Sequence, residues 1–164
     1  MKEYGLYAVL ALLTILVSTV ASNLLSVGGI TPDLLLLVVV AVALTKGQFA
    51  AIIFGFASGL IFDLISTDVV GSNALVKMLA GYVAGFFWRE GSTVSESIGS
   101  LRYVTVTLLC AFVHNAVYYL LYTRPADIPF VEFYLKNGVA AALYTTALAL
   151  LPYFYASRRR EEGA

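Results

Sequence analysis

The sequence predicts an all-α integral membrane protein with six transmembrane helices and both termini in the cytoplasm. Three observations carry this reading. The first is composition: of 164 residues, 60% are hydrophobic and 12% charged, about half the charged fraction of an ordinary soluble domain, and the mean hydropathy is positive. A chain this short cannot hide so many Leu, Val and Ala in one globular core. The second is that the apolar residues fall into six runs separated by short polar or glycine-bearing turns. The third is that Lys and Arg are shared unequally between alternate turns. Ten basic and ten acidic residues leave no net charge, so the balance points to no nucleic-acid partner.

The six runs cover residues 6–27, 32–45, 48–66, 71–88, 101–122 and 133–155. A spanning helix needs about 20 mainly apolar residues. The first run follows Lys2 and exceeds the roughly 7–15 residues of a secretory signal core, so it reads as a retained span. The second opens at Thr31-Pro32-Asp33 after Gly28-Gly29, a turn followed by a helix start with proline in its first turn. At 1.5 Å per residue it covers only about 20 Å of a core about 30 Å thick. A full crossing and a re-entrant hairpin with the third run both remain open. The longest linker, 89–100, is polar, with Gly91, Ser92, Thr93, Ser95 and Ser97. The tail over 156–164 carries Arg158-Arg159-Arg160 followed by Glu161-Glu162, which reads as a topology anchor. Residues 1–164 form a single transmembrane domain in this reading.

Orientation follows from the loops. With six spans, one side receives Lys2, Lys46, Arg89, Arg102 and the tail arginines, and the other receives Arg124 and Lys136. The basic side is cytoplasmic. Five spans would separate the chain ends and spoil the asymmetry. Lys77 falls inside the fourth run and is left out of the count.

Helices in lipid associate where small side chains let backbones approach. Gly55 and Gly59, near Ala51 and Ser58, give the third span such a face, and Gly81 and Gly85 give the fourth the same spacing. An antiparallel pair at short distance is expected. The polar residues within spans, Asp63, Lys77, His114, Asn115 and Asn137, all fall in the half away from the cytoplasm. A charge in the bilayer core costs several kcal/mol, so such groups pair or line a wet cavity. Asp63 and Lys77 flank one turn at comparable depth, which predicts an ion pair closing that hairpin; an outward-facing polar pocket is the alternative. Tyr82, Tyr103, Tyr118, Tyr119, Tyr122, Tyr134, Tyr153 and Tyr155 gather at span ends with Trp88 and read as an interface belt.

Catalysis, cofactors and metals find little footing. Cys110 stands alone in an apolar run and reads as a buried, inert thiol. His114 is the only histidine, so no metal site is expected. A serine-protease pairing of Ser58 with His114 fails because Phe56 stands where a G-x-S-G pattern needs glycine, and no G-x-S-x-G elbow occurs. Asp33 and Asp63 lie on the same side as a conceivable two-carboxylate site. However, Asp33 at a helix start is accounted for by exposed backbone N–H groups and the helix dipole. No catalytic residue and no cofactor is expected.

The run from Thr31 to Phe87, TPDLLLLVVVAVALTKGQFAAIIFGFASGLIFDLISTDVVGSNALVKMLAGYVAGFF, resembles the rod shape-determining protein MreD family. Pro32-Asp33-Leu34 opens a short apolar helix, Lys46-Gly47 makes a tight turn, and a helix with Gly55 and Gly59 ends in Asp63-Leu64. Gly71 then begins a helix with Gly81-Tyr82 near its end. One departure is the turn at Ser66-Thr67-Asp68-Val69-Val70, which lacks the Gly-Pro richness of that pattern. The resemblance implies a non-enzymatic, multi-pass component of the bacterial inner membrane, acting in cell elongation and peptidoglycan synthesis. Its implied main partner is MreC, with RodA/PBP2 and MreB reached directly or indirectly; membrane lipids are further partners, and a homodimer is left open. The resemblance also implies similarity to the substrate-binding membrane subunits of energy-coupling-factor vitamin transporters, the alternative function. Asp33, Asp63, Lys77, His114, Asn115 and Asn137 are the expected partner or pocket contacts, and Gly55, Gly59, Gly81 and Gly85 the helix-packing positions.

Overall fold

Every regular element of the computed structural model is a helix, over the described residues 2–20, 25–66, 69–126 and 129–162. The part of the first expected span over 21–24, and Thr67 and Asp68 of the turn noted above, lie outside these residues. In chain order the helices are α1 (Lys2–Val20), α2 (Leu34–Lys46), α3 (Gln48–Ile65), α4 (Ser72–Gly85), α5 (Val94–Ile98), α6 (Leu101–Ala126), α7 (Phe130–Phe133) and α8 (Val139–Glu162). A π-helical turn, Tyr134–Gly138, joins α7 to α8. By length and composition, the segments Gln48–Ile65, Leu101–Thr123 and Phe130–Arg159 are long and apolar enough to cross a membrane; Val9–Ser18 and Leu34–Lys46 are apolar but shorter. Helices of this length and composition are consistent with a membrane protein.

The shortest of the apolar runs is the centre of the bundle. Leu35, Leu36, Leu37, the stretch from Val39 to Ala43, and Leu44 are all buried, and α2 touches α1, α3, α4, α5, α6 and α8. A helix that is apolar on every side needs cover on every side, and here neighbouring helices supply it. Asp33 caps its start, Oδ1 accepting from the Leu36 N–H at 3.0 Å. A single residue, Gly47, with φ +88°, turns the chain from α2 into α3. A Cβ there would meet the Trp88 ring at 3.6 Å.

Helices α3 and α4 form the most extensive contact in the bundle. They run antiparallel, with Gly55 against Lys77, Gly59 against Asn73, Gly81 against Ala51 and Gly85 against Gln48. A Cβ added at Gly55, Gly59 or Gly81 would come within 2.5, 2.6 and 2.6 Å of the facing backbone carbonyl oxygen. The absence of four side chains is therefore what sets the separation of the two backbones. These faces are covered within the chain and are not available to another protein.

Across the bundle, α6 buries Tyr103, Val106, Cys110, Ala111 and His114 at steps of three and four, and α8 answers with Ala142, Thr145, Ala149 and Ala156. Both read as the inward stripe of a helix with period 3.6. Four expectations need correcting. The fourth helix ends at Gly85, and Phe86 to Trp88 continue only as a turn. The polar linker 89–100 contains α5, because Thr93 and Glu96 form a capping box, each side chain bonding the other's backbone N–H. Ser97 from α5 then donates to the Leu44 carbonyl oxygen at 3.2 Å and closes the end of α2. The final helix begins earlier than expected, at Phe130, and passes through the π turn. Tyr103 does not belong to an interface belt: it is 1% exposed and donates its hydroxyl to the Leu37 carbonyl oxygen at 3.2 Å.

Candidate functional site

At the end of the bundle where α2 and α4 begin and α3 finishes, the helices part around a cavity of about 190 Å³. Asp33, Lys77, His114 and Asn115 supply its charged and polar wall, with Asn73 and Thr31 beside them and Tyr118, Tyr119 and Phe62 as aromatic neighbours. Each reaches the cavity for a local reason. Asp33 is held by its capping role, and its own N–H donates to Thr145 Oγ1 of α8 at 2.9 Å. Lys77 is on the inward stripe of α4 and His114 and Asn115 on that of α6.

The charges are connected in one network. Lys77 Nζ donates to Asp33 Oδ2 at 2.8 Å and to Asn73 Oδ1 at 3.0 Å, and lies 5.5 Å from the Phe62 ring centre. Its side chain is 2% exposed and that of Asp33 22%, so the pair is buried on one side and open to the cavity on the other. His114 Nδ1 meets Asn115 Oδ1 at 3.2 Å, and Asn115 Nδ2 donates to the Gly138 carbonyl oxygen at 2.9 Å, beside the π turn. His114 Nε2 lies 3.2 Å from Asp33 Oδ2, but out of hydrogen-bonding alignment. It is buried and has no hydrogen-bond partner among the described residues. Tyr118 stacks parallel to the imidazole at 6.2 Å between ring centres.

Asp63 and Lys77 do not form the expected ion pair. Asp63, 1% exposed, accepts from the N–H groups of Gly71 at 2.9 Å, Asn73 at 3.1 Å and Ala74 at 3.1 Å, and from Asn73 Nδ2 at 2.9 Å. The start of α4 thus occupies its oxygens with donors that are otherwise unmatched. Lys77 turns to Asp33 instead, and Asn73 bridges the two systems. Asp63 therefore stands behind the cavity rather than in its wall. Asn137 also differs from expectation: its Nδ2 donates to the Phe133 carbonyl oxygen at 3.1 Å within its own turn, and it does not line the cavity. Asn73 and Thr145 escaped the sequence reading. The signals were present, since Asn73 stands four residues before Lys77 on one helix face and Thr145 lies on the small-residue stripe of α8.

No catalytic grouping assembles from the candidates considered. The Ser58 hydroxyl donates to the Phe54 carbonyl oxygen of its own helix at 2.6 Å. Among the described residues, no group of three or more His, Cys, Asp or Glu is arranged to hold a metal ion. What the site offers is a partly open cavity with the exposed Asp33 carboxylate of an ion pair on its wall and a buried imidazole and amide group behind it.

The family described as rod shape-determining protein MreD matches residues 3–154, nearly the whole chain. The chain belongs to the MreD family. Membership in MreD suggests a role in rod shape determination, and the resemblance read between Thr31 and Phe87 extends across the helices that frame the cavity. No curated protein and no solved structure matches the chain.

Proposed function

We infer that this MreD-family protein is a non-enzymatic scaffold of the cell-elongation machinery, multi-pass in the bacterial inner membrane with six spans and both ends in the cytoplasm. In this reading it binds MreC as its main partner and is linked to MreB and RodA/PBP2. The observation that carries the docking mode is the division of labour between two faces. The small-residue stripes at Gly55, Gly59, Gly81 and Gly85 are consumed inside the chain, whereas the cavity walled by Asp33, Lys77, His114 and Asn115 is not filled by the chain's own side chains and exposes the Asp33 carboxylate. A membrane-proximal polar segment of a partner fits that cavity better than a second glycine-packed helix does.

The alternative, a vitamin-binding transporter subunit, is disfavoured by size. A cavity of about 190 Å³ is below the roughly 300–1,000 Å³ of pockets that enclose drug-sized ligands. The test is co-purification from native membranes in mild detergent, with mass spectrometry of proteins and small molecules together. Recovery of MreC or a cell-wall synthase, without a stoichiometric small ligand, supports the scaffold. A bound vitamin accompanied by ATPase subunits overturns it.

A further inference from the structure

A second cavity lies at the opposite end of the bundle, about 400 Å³ in volume, between the turn after α4, helix α5 and the start of α6. Arg89 and Arg102 line it, with Ser92, Ser100, Glu90 and Glu96. Arg102 lies twelve positions before His114 on α6, about 18 Å along the helix axis, so this cavity is separate from the outer one. Its chemistry is incomplete in a specific way. Two of the three guanidinium nitrogens of Arg102, Nε and Nη1, are buried and have no hydrogen-bond partner. No carboxylate among the described residues comes within ion-pair distance of it. Glu96, the nearest candidate along the chain, directs Oε2 at the Thr93 N–H and hydroxyl, at 2.7 and 2.9 Å.

A guanidinium presents a planar fork of donors that matches the oxygens of phosphate or carboxylate. Beside a second arginine, the acceptor that best satisfies it is an anion. The surroundings indicate where that anion comes from. Leu101, next to Arg102, is 68% exposed, and Phe86, Phe87 and Trp88, next to Arg89, are exposed as well. Apolar and indole side chains flanking a cavity with two arginines match the boundary between acyl chains and headgroups, and the two glutamates on the same wall, Glu90 and Glu96, make the arginines rather than net charge the source of anion preference. A soluble anion would need only the arginines, whereas a phospholipid also uses the apolar flank.

We propose that the cavity between Arg89 and Arg102 binds the phosphate of an anionic phospholipid in the leaflet at this end of the bundle. The lipid phosphate sits against the cavity side of the Arg102 guanidinium, whose Nε and Nη1 turn toward it from their buried positions as it binds; Arg89 supplies the second charge, and the acyl chains lie along Leu101 and Phe86. The site ties the turn after α4 to the first turn of α6, the joint between the two halves of the helical bundle. It is independent of which protein occupies the outer cavity.

The test uses the full chain, delipidated in a neutral detergent and offered equal amounts of phosphatidylglycerol and phosphatidylcholine, with retained lipid counted by native mass spectrometry. Phosphatidylglycerol should be retained in preference. Arg102→Gln should reduce that preference by roughly tenfold or more, the scale of one lost charge-assisted contact, while Arg159→Gln, at an exposed arginine on α8, should not. Arg89→Gln provides the same readout if Arg102→Gln does not fold, and Arg102→Lys should retain only part of the preference. Inorganic phosphate distinguishes the sources: displacement of the lipid effect by free phosphate at comparable concentration would show a soluble-anion site and overturn the lipid assignment. Equal retention of both lipids, or unchanged preference in both arginine variants, would also overturn it. So would retention of an acidic protein segment, rather than lipid, that disappears in the same variants.

Discussion

Lys77 Nζ and Asp33 Oδ2 meet at 2.8 Å across 44 positions of sequence, and this contact fastens α4 to the start of the central helix α2. The pair lies on the wall of the cavity of about 190 Å³, so one interaction both locks two helices and presents charge there. Removing one partner leaves the other charge buried and unmatched, which typically costs 3–5 kcal/mol, whereas replacing both is often close to neutral. Because Asp33 retains some exposure, Lys77→Met or Asp33→Asn alone should each destabilise by about 3 kcal/mol. The double variant should recover most of that loss. Thermal unfolding in detergent of the four proteins in this cycle measures the coupling; additive losses would show that the pair contributes nothing as a pair.

Asp63 behaves differently, and the same cycle separates it. Its carboxylate accepts four hydrogen bonds at the start of α4, so Asp63→Ala should cost about 2–3 kcal/mol through a lost cap and stranded donors. Lys77→Met should not rescue it. Hydrogen exchange should accelerate at the amides of Gly71, Asn73 and Ala74 in particular. Rescue by Lys77→Met would mean that the two charges are coupled more directly than the Asn73 bridge allows.

The glycines make the steric prediction. At Gly59 a methyl group would stand 2.6 Å from the Asn73 carbonyl oxygen and 2.7 Å from the Ala74 Cα, neither of which can swing aside. Gly59→Ala should therefore destabilise by roughly 1–3 kcal/mol, and Gly59→Leu by more. Gly5, on α1 with nothing within 4 Å of an added Cβ, is the control: Gly5→Ala should be neutral or stabilising, since alanine favours a helix by about 0.5–1 kcal/mol. Equal melting temperatures for Gly59→Ala and the parent chain would contradict the close approach of α3 and α4.

The residues involved show what a sequence carries and what it withholds. The paired glycine stripes were legible because small residues at four-residue spacing have one common use in an apolar helix. Asp33 as a cap was legible from Pro32 beside it. The choice of partner for Lys77 was not, because depth alone ranks Asp33 and Asp63 equally; the decision lies in how many backbone donors already claim each carboxylate. Those donors belong to a turn whose geometry only the folded chain reveals. The burial of Tyr103 was within reach, since it shares three- and four-residue steps with Val106, Cys110 and His114. Its position near a helix start suggested an interface instead. Short α5 was likewise encoded in Thr93-x-x-Glu96, a signal that polar composition concealed.

Topology gives a prediction that does not depend on any partner. Six spans with both ends inside put Ser92 in the cytoplasm and Val131 outside. In a Cys110→Ala background, Ser92→Cys should react with a membrane-impermeant thiol reagent only after the membrane is opened, and Val131→Cys should react in intact cells. Val131 is 66% exposed, so accessibility does not limit the reaction. Labelling of both positions from the same side would remove the six-span arrangement and the orientation together.

His114 distinguishes a docking rim from a purely structural network. Its Nε2 is buried without an aligned hydrogen bond, although 3.2 Å from Asp33 Oδ2, and Asp33 keeps Lys77 when the imidazole is replaced; the main cost is the Nδ1 contact to Asn115 at 3.2 Å. A neutral hydrogen bond contributes about 0.5–1.5 kcal/mol, and a similarly shaped apolar ring retains the stacking against Tyr118. Because Asn115 Oδ1 is left buried without that partner, His114→Phe should destabilise by about 1–3 kcal/mol. If Nε2 becomes accessible to meet a partner, the same variant should lose most of the MreC recovered on co-purification while its melting temperature falls no further than that single lost contact accounts for. His114→Gln, which keeps an amide donor near the Nε2 position, should retain more of it. Undiminished recovery in both variants would move the docking surface away from this rim. A large loss of stability in His114→Phe would instead make the imidazole a structural member of the Asp33–Lys77 network.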